Sequence, residues 1–235
     1  MRADDYKHLF TKDYMMGPCS VRLLDELLRT HPLPDDGRIL DLGCGTGLTT
    51  LFAADVLPHS NVFAVDLWIS ATDNLRRFRD WRIDDRAVPL HANALDLPFP
   101  DEYFDAVISV DAYHYFASNQ TYFQDKLLPL LKPGGWALIA VPGLQHEFDG
   151  AAPACFTDWA GNETHMFHSC DWWRSAIGCS QQIAQKHVWK MDAHEAAWQD
   201  WFTTGHRFAV QDKLHLDLGV REHLTTIGMA IQRAK

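Results

Sequence analysis

Three glycines alternate with other residues in the segment Gly43-Cys44-Gly45-Thr46-Gly47, directly after a short apolar run. Glycine lets the main chain pass close to a ligand, and the amides at a helix start can bind a phosphate or an amino-acid carboxylate. Asp41 stands just upstream, where it could pair with a ligand ammonium and would repel a pyrophosphate. The spacing G-x-G-x-G also departs from the G-x-G-x-x-G pattern of dinucleotide sites. The segment therefore favours a zwitterionic ligand.

The elements that must position this loop alternate between strand and helix. Apolar runs predict strands at 38–42, 61–66, 87–91, 104–110, 135–141, 181–189 and 223–232. Helices are predicted at 14–30, from Ser70 to about Ile83, at 121–131 and at 192–203; Ser70 and Asp73 form a capping box, and a Lys-Pro-Gly-Gly turn at 132–135 should end the third helix. Such alternation forms a parallel sheet that binds ligands at the carboxyl ends of its strands.

We therefore expect an α/β protein with a Rossmann-like, doubly wound, mostly parallel seven-stranded sheet and helices on both faces. Residues 1–235 are read as a single domain, with a cofactor-binding core at 14–142. Regular alternation fails at 143–180, where aromatic and histidine side chains accumulate, and a second, helical insertion is read at 192–220. These two insertions are expected to form a helical, aromatic substrate cap, although Trp198 and Trp201 are expected to be core residues.

The sequence resembles the class I S-adenosylmethionine-dependent methyltransferases over about 14–142, in the branch of small-molecule, sterol-type and cyclopropane-fatty-acid-synthase-related enzymes. Residues 39–47 (ILDLGCGTG) are similar to the first motif of that family, and 62–68 (VFAVDLW) to its second strand. Residues 91–99 (HANALDLPF) resemble the segment that contacts adenine, and 127–143 the final helix, turn and strand of the core. The four matches occur in the family's order, which makes them more specific than any one alone.

The resemblance implies S-adenosyl-L-methionine as the cofactor. The glycine loop would support its methionine moiety, Asp66 would hold both ribose hydroxyls, and Leu67 and Trp68 would flank the adenine. Asn93 stands where the family usually carries Asp, and its amide oxygen can still accept from the adenine amino group. The expected cofactor-binding residues are Tyr14, Asp41, Gly43, Cys44, Gly45, Gly47, Asp66, Leu67, Trp68, Asn93, Ala94, Leu95 and Val110.

A methyl group on a sulfonium is already activated, so transfer by in-line displacement depends first on alignment. A hydroxyl or amine acceptor must also lose a proton, and a general base would help. His114 is the candidate base, with Tyr113 and Asp111 as substrate or cofactor contacts, because this run follows the strand at 104–110. The alternative is that these residues only wall the pocket.

Histidines of the first insertion are interpreted as substrate contacts. His165 and His168, with Trp173, are expected to line the substrate pocket. His165, His168 and Cys170 do not form a familiar zinc spacing, so no metal is expected.

Composition limits the partners of the chain. Its formal net charge of -10 disfavours nucleic acid, since that binding relies on Lys and Arg neutralising phosphates. No apolar run approaches the roughly 18 residues of a membrane span, and the N-terminus lacks the apolar core of a secretory signal. We expect a cytoplasmic protein with reduced cysteines, no integral membrane association, a small-molecule or lipid-like substrate and, as one option, a homodimeric assembly.

Two other functions stay open at this point. A nicotinamide-dependent oxidoreductase would use the Tyr-x-x-x-Lys spacing of Tyr122 and Lys126, but that spacing is common by coincidence. A non-catalytic protein that binds S-adenosylmethionine would keep the same cofactor motifs and transfer nothing.

Overall fold

The computed structural model describes residues 2–117 and 120–235, which are built around one seven-stranded sheet. Its strands are β1 (Asp36–Leu42), β2 (His59–Asp66), β3 (Ala87–His91), β4 (Phe104–Val110), β5 (Leu131–Leu144), β6 (Ile183–Lys190) and β7 (Leu224–Arg233). They lie in the order β3-β2-β1-β4-β5-β7-β6. The first five are parallel, and β7 runs antiparallel to both of its neighbours. The predicted Rossmann-like, mostly parallel seven-stranded sheet is confirmed.

Helices cover both faces of this sheet. The α-helices are α1 (Ser20–Thr30), α2 (Leu48–Val56), α3 (Ala71–Asp80), α4 (Ala154–Ala160), α5 (Cys170–Ile177), α6 (His194–Thr203) and α7 (Arg207–Asp217). Successive residues of a strand point to opposite faces. Ile39 of β1 accordingly joins the core formed with α1, α2 and α6, whereas Leu40 joins the core formed with α5 and the segment before β5. Two hydrophobic cores therefore hold the sheet from both sides.

The predicted N-cap at Ser70 is confirmed, whereas the Asp73 carboxylate binds the Ser70 hydroxyl and not the Ser70 amide, so only half of the predicted capping box forms at the start of α3. The Ser70 hydroxyl accepts a hydrogen bond from the Asp73 amide over 3.1 Å and donates one to the Asp73 carboxylate over 2.7 Å. The helix ends at Asp80, before the predicted Ile83, and Arg82 has a φ of 59°. The left-handed residue turns the chain towards β3.

The first helix is shorter than predicted. The prediction placed it at 14–30, but α1 begins at Ser20. A proline disfavours helical geometry in the residue before it and cannot donate an amide hydrogen bond. Pro18 therefore keeps Gly17 out of the helix, and the segment before α1 is free to face the carboxyl edge of the sheet.

The crossover before β5 is also different from the prediction. Instead of a helix at 121–131 there is a π-helical turn at Phe123–Leu127 and a 3₁₀ turn at Leu128–Leu130. Pro129 lacks the amide that a regular helix needs. The predicted stop at 132–135 lies inside β5, where it forms a bulge: Phe104 pairs with Leu131, but Ala106 pairs with Trp136.

The two insertions contain α4 to α7 and pack together. Asp212 of α7 accepts a hydrogen bond from Trp159 Nε1 over 2.9 Å and one from Trp201 Nε1 over 2.8 Å. Trp198 and Trp201 are buried, as predicted. Within 2–117 and 120–235, no helix combines the length and the apolar character that crossing a bilayer requires.

Candidate functional site

A cavity of about 620 Å³ opens at the carboxyl ends of β1, β2 and β4. Its wall comes from the segment before α1, the loop after β1, the end of β2, the chain after β3 and the chain after β4. These lining residues are 14–18, Ser20, 42–46, Leu48, Thr49, 65–68, 92–95, 110–112, Tyr115 and Phe116. The cavity therefore lies where a doubly wound sheet binds its ligands.

The glycine loop passes very close to the end of β4. Gly43 has a φ of 77°, and a Cβ at this position would lie 2.2 Å from the Cβ of Ala112. The Gly43 amide donates to the Val65 carbonyl over 2.8 Å, which fixes the loop against β2. Only glycine provides both the left-handed backbone and the space at this point.

Asp66 is anchored at the edge of the cavity by backbone amides. Its Oδ2 accepts from the Gly45 amide over 2.8 Å, and its Oδ1 accepts from the amides of Trp68 and Ile69 over 2.7 and 2.8 Å. A carboxylate has about four lone-pair positions, so it can still accept from a ligand hydroxyl. Asp66 is thus held rigidly with acceptor capacity left over.

Asp41 does not reach the cavity, which corrects the expected ammonium contact. Its Oδ2 accepts from the hydroxyls of Thr49 and Thr50, each over 2.7 Å, and the side chain is fully buried. Burial raises the pKa of this carboxyl to about 6. Asp41 pairs with Ala64, two residues before Asp66 in β2, and its side chain therefore lies deeper in the fold, against α2 below the loop.

Gly47 is also outside the cavity wall. It is the residue before α2 and has a φ of 90°. A Cβ on it would lie 2.5 Å from Cε1 of Phe78, so glycine is needed there for packing.

Cys44 does line the cavity. Burial raises the pKa of its thiol well above the ordinary value, which leaves it uncharged and unreactive.

Apolar side chains line the part of the cavity that was assigned to adenine. Leu67, Trp68, Ala94 and Leu95 all border it, and Leu67, Trp68 and Leu95 are at least half exposed. The Asn93 Oδ1 accepts from the Leu95 amide over 2.9 Å, which leaves its amide NH₂ free to face the cavity. Tyr14 and Val110 also lie in the wall, at the two sides of the glycine loop.

The run after β4 faces the cavity with different residues from those expected. Tyr113 and His114 are buried outside the wall, which corrects their placement at the reacting group. Tyr113 packs on Trp173 with ring centroids 5.8 Å apart. His114 lies between Tyr115 and Phe167, and burial lowers its pKa to about 3, so it is a weak base.

Asp111, Tyr115 and Phe116 do line the cavity. Asp111 has a φ of 57°, a left-handed conformation that aspartate tolerates better than most residues. Tyr115 packs edge-on against Trp68, with ring centroids 5.0 Å apart. Tyr115 and Phe116 are not among the residues predicted for the site, and their one signal in the sequence is their place in the same aromatic run.

The three expected substrate residues of the insertions are all outside the cavity wall. His165 is exposed, and its Nδ1 lies 2.8 Å from the Asn162 carbonyl. His168 stacks on Trp172 with ring centroids 3.6 Å apart, and Trp173 is buried in the core. Among the described residues, therefore, neither insertion contributes to the wall, and a substrate cap at 143–180 and 192–220 stays a prediction.

The residue pair of the oxidoreductase hypothesis is not at the site either. Tyr122 is buried and donates its hydroxyl to the Ala94 carbonyl over 2.9 Å. Lys126 borders a separate, smaller pocket. Across 2–117 and 120–235, no group of three or more His, Cys, Asp or Glu side chains is arranged to hold a metal ion.

Comparison with known proteins shows that the part of the chain with the glycine loop is similar to methyltransferases. Residues 39–135 match the family model described as a methyltransferase domain. Demethylmenaquinone methyltransferase of Symbiobacterium thermophilum is 39% identical over 109 residues, 46% of this chain and 43% of that protein. 27-O-demethylrifamycin SV methyltransferase of Amycolatopsis mediterranei is 31% identical over 120 residues, 49% of this chain and 42% of that protein. The chain thus spans less than half the length of these relatives.

Solved structures share the fold over almost the whole chain. Phosphoethanolamine N-methyltransferase 2 of Haemonchus contortus, in complex with S-adenosyl-L-methionine, has a TM-score of 0.76 at 19% identity, covering 94% of this chain and 54% of that one. Geranyl diphosphate methyltransferase in complex with the same cofactor has a TM-score of 0.74 at 18% identity, covering 92% and 85%. At this identity, the likeness shows the fold alone.

Proposed function

We propose that this chain, whose core belongs to the class I S-adenosylmethionine-dependent methyltransferases, transfers a methyl group from S-adenosyl-L-methionine to a small-molecule or lipid-like acceptor. The observation that carries the proposal is one cavity bordered by both the glycine loop and the anchored carboxylate of Asp66. One of these features alone is common in proteins. Their juxtaposition, in a domain of this family, supports a shared ligand.

The described residues fit this cofactor. Gly43, Cys44 and Gly45 border the cavity, so the main chain of the glycine loop can approach a ligand closely, and Asp66 has acceptor capacity left for a ribose hydroxyl. Leu67 and Leu95 provide apolar surface for a flat base, and the free NH₂ of Asn93 can donate to a ring nitrogen. We assign the cofactor to Tyr14, Gly43, Cys44, Gly45, Asp66, Leu67, Trp68, Asn93, Ala94, Leu95 and Val110.

The bound cofactor supplies an activated methyl group on a positively charged sulfur. The task of the protein is then to bind, orient and exclude water. Rigid anchoring of Asp66 and the glycine loop gives the orientation, and correct positioning lowers a barrier by roughly 7–11 kcal/mol. Trp68, Tyr115 and Phe116 provide an apolar wall that favours an acceptor with apolar surface.

The relatives support a small organic acceptor. Those named above act on a demethylmenaquinone and on a rifamycin, according to their names. The acceptor of this chain is a proposal at the level of a small or lipid-like molecule. A cytoplasmic location, a homodimer and the exclusion of nucleic acid also stay predictions.

Calorimetry of the purified chain tests the proposal. S-adenosyl-L-methionine and S-adenosylhomocysteine should both bind, and either at a hundredfold excess over its Kd should add about 2.7 kcal/mol to the free energy of unfolding. NADH at the same concentration should add nothing. Absence of binding by both sulfur compounds would contradict the proposal, and stabilisation by NADH would favour the oxidoreductase.

A second measurement separates an enzyme from a non-catalytic binding protein. The chain is incubated with methyl-labelled cofactor and a lipid and small-molecule extract, and label is followed into the extract. Transfer supports the proposed activity. Cofactor binding without transfer to any fraction favours the non-catalytic alternative.

A further inference from the structure

Asp111 presents a carboxylate without a protein partner in the wall of the cavity. No residue in 2–117 or 120–235 donates a hydrogen bond to it or forms an ion pair with it, although its backbone amide is bonded to Ala140. Its Oδ2 lies against Gly17, at 2.5 Å from the position that a Cβ on Gly17 would take. A carboxylate in a cavity wall is normally paired with a hydrogen-bond donor or a cation. The absence of such a partner for Asp111 among the described residues therefore points to a partner on the ligand.

The described residues that line the cavity offer no positive charge to fill that role. They include the carboxylates of Asp66 and Asp111, and none of them is Lys, Arg or His. The charged groups that act on this part of the wall from neighbouring elements, Asp212 of α7 and Glu163, are also acidic. A negative potential of this kind attracts a cation and repels an anionic acceptor.

Aromatic rings share the wall with Asp111. Tyr14, Trp68, Tyr115 and Phe116 border the cavity, and Trp68 and Tyr115 are in edge contact. The face of an aromatic ring attracts an ammonium group as well as apolar surface. A carboxylate that shares a cavity wall with aromatic rings can recognise an amine carried on an apolar body.

We propose that the acceptor is an amine with an apolar body, bound as a cation whose ammonium group faces the carboxylate of Asp111. This inference rests on the proposed function and specifies the acceptor atom as nitrogen. Asp66 is bound to three backbone amides and serves the other ligand, whereas Asp111 has its whole acceptor capacity free.

The same carboxylate can take the proton that the reaction releases. Burial, with a smaller effect of Asp212, raises the pKa of Asp111 to about 7. One N–H proton of the ammonium moves to Asp111, and the freed nitrogen lone pair forms the new N–C bond. The electron pair of the broken S–C bond stays on sulfur, which loses its charge as nitrogen regains one.

The methionine ammonium of the cofactor is another source of the same cation, and binding measurements separate the two. Wild type and Asp111→Asn are saturated with S-adenosylhomocysteine and titrated with three matched pairs of probes: 2-phenylethylamine and 2-phenylethanol, tryptamine and tryptophol, dodecylamine and dodecanol. Asparagine also tolerates a positive φ, so the variant keeps the backbone. Asp217→Asn, which changes an exposed carboxylate paired with Lys213, is the control.

The wild type and the control should bind at least one amine about tenfold more tightly than its matched alcohol. Asp111→Asn should lose that preference and keep its affinity for S-adenosylhomocysteine within about threefold. If no amine is preferred by the wild type, or if no probe binds, the inference is overturned, whereas binding of S-adenosylhomocysteine leaves the proposed function intact. A loss of S-adenosylhomocysteine affinity of about tenfold or more in Asp111→Asn would assign the cation to the cofactor and also overturn the inference.

A measurement on the wild type alone serves if the variant does not fold. Amine binding should strengthen as the pH rises through about 7, because Asp111 then becomes charged, while alcohol binding should stay constant. Equal pH dependence of both probes would count against the inference. Failure of S-adenosylhomocysteine to bind at any pH would instead remove the proposed function.

Discussion

The carboxylate Oδ2 of Asp111 occupies the space beside Gly17 that a Cβ would need, since the two positions are only 2.5 Å apart. Gly17 belongs to the segment before α1, and Asp111 follows β4. The approach of these two residues joins elements that are far apart in the sequence, and it holds the unpartnered carboxylate at one side of the cavity.

Gly17→Ala should therefore alter the site more than the fold. Its backbone is outside the left-handed region, and the clashing atom is the end of a rotatable side chain. We expect a stability loss below about 1 kcal/mol in urea unfolding, together with a loss of amine preference similar to that of Asp111→Asn. An alanine variant with unchanged probe affinities would show that the position of Asp111 is not important for binding.

Asp66→Ala should remove cofactor binding and loosen the loop. Three backbone amides lose their shared acceptor, which should cost about 3 kcal/mol of the free energy of unfolding. Calorimetry should show at least a hundredfold weaker binding of S-adenosylhomocysteine. Asp85→Ala, at an exposed aspartate, is the control and should match the wild type. Retention of wild-type cofactor affinity in Asp66→Ala would remove the main support of the proposed function.

Gly43→Ala tests the close approach of the glycine loop to β4. The added Cβ would meet Ala112 at 2.2 Å, and the φ of 77° adds backbone strain. Gly150 has a φ of 97°, and a Cβ added to it would have no other atom within 4 Å, so Gly150→Ala measures the backbone strain alone. Urea unfolding should show a loss of about 1 kcal/mol in Gly150→Ala and at least about 2 kcal/mol more in Gly43→Ala. Equal losses in the two variants would mean that the loop adapts without cost.

His114 should make stability depend on acid pH. Its pKa falls from 6.5 to about 3 on folding because burial disfavours the charged ring. Below about pH 6.5 the unfolded chain therefore binds a proton at His114 that the folded chain does not bind. The free energy of unfolding decreases as the pH falls through this range. At pH 5 the loss is about 2 kcal/mol.

The measurement compares the free energy of unfolding at pH 7 and pH 5. His114→Gln should lose about 2 kcal/mol less than the wild type over this interval, since the variant has no proton to bind there. His165→Gln, at an exposed histidine, should keep the wild-type pH dependence. If the free energy of unfolding of His114→Gln fell between pH 7 and pH 5 as much as that of the wild type, the burial of a neutral ring would be contradicted.

Asp41→Asn tests whether this residue is structural. Since Asp41 is outside the cavity wall, cofactor affinity should change by less than about threefold. Burial raises its pKa from 3.8 to about 6, so the wild type loses stability as the pH rises between these values. Relative to the wild type, the variant should gain about 2 kcal/mol between pH 4 and pH 8. A tenfold loss of cofactor affinity would restore the ammonium contact that the sequence suggested.

The sheet and much of the cofactor site could be predicted because local patterns determine them. Apolar strand runs gave seven strands within a few residues of their true bounds, and the glycine loop and Asp66 follow directly from strand ends. Which acid faces the cavity depends on its depth along the strand. Asp41 pairs with Ala64, which precedes Asp66 by two residues on the same face of the sheet, so only Asp66 reaches the opening.

The residues after β4 show what a pattern cannot predict. Tyr113–Tyr115 forms a 3₁₀ turn, in which successive side chains point in three directions. Only Tyr115 of the three faces the cavity. The phase of such a turn is set by packing against Trp173 and Phe167, which lie more than fifty residues further along the chain. No local signal contains that information.

The position of β7 has a consequence for how the chain is made. This strand follows β6 in the sequence but lies between β5 and β6 in the sheet. The ribosome therefore synthesises β6 before β7, the strand with which it pairs in the described sheet, and β6 stays unpaired until β7 emerges. The strands that bear the cavity are synthesised earlier and pair among themselves, so the ligand-binding half can assemble during translation while the far edge is still unfinished. Ligand captured at that stage would stabilise the nascent half before the far edge closes.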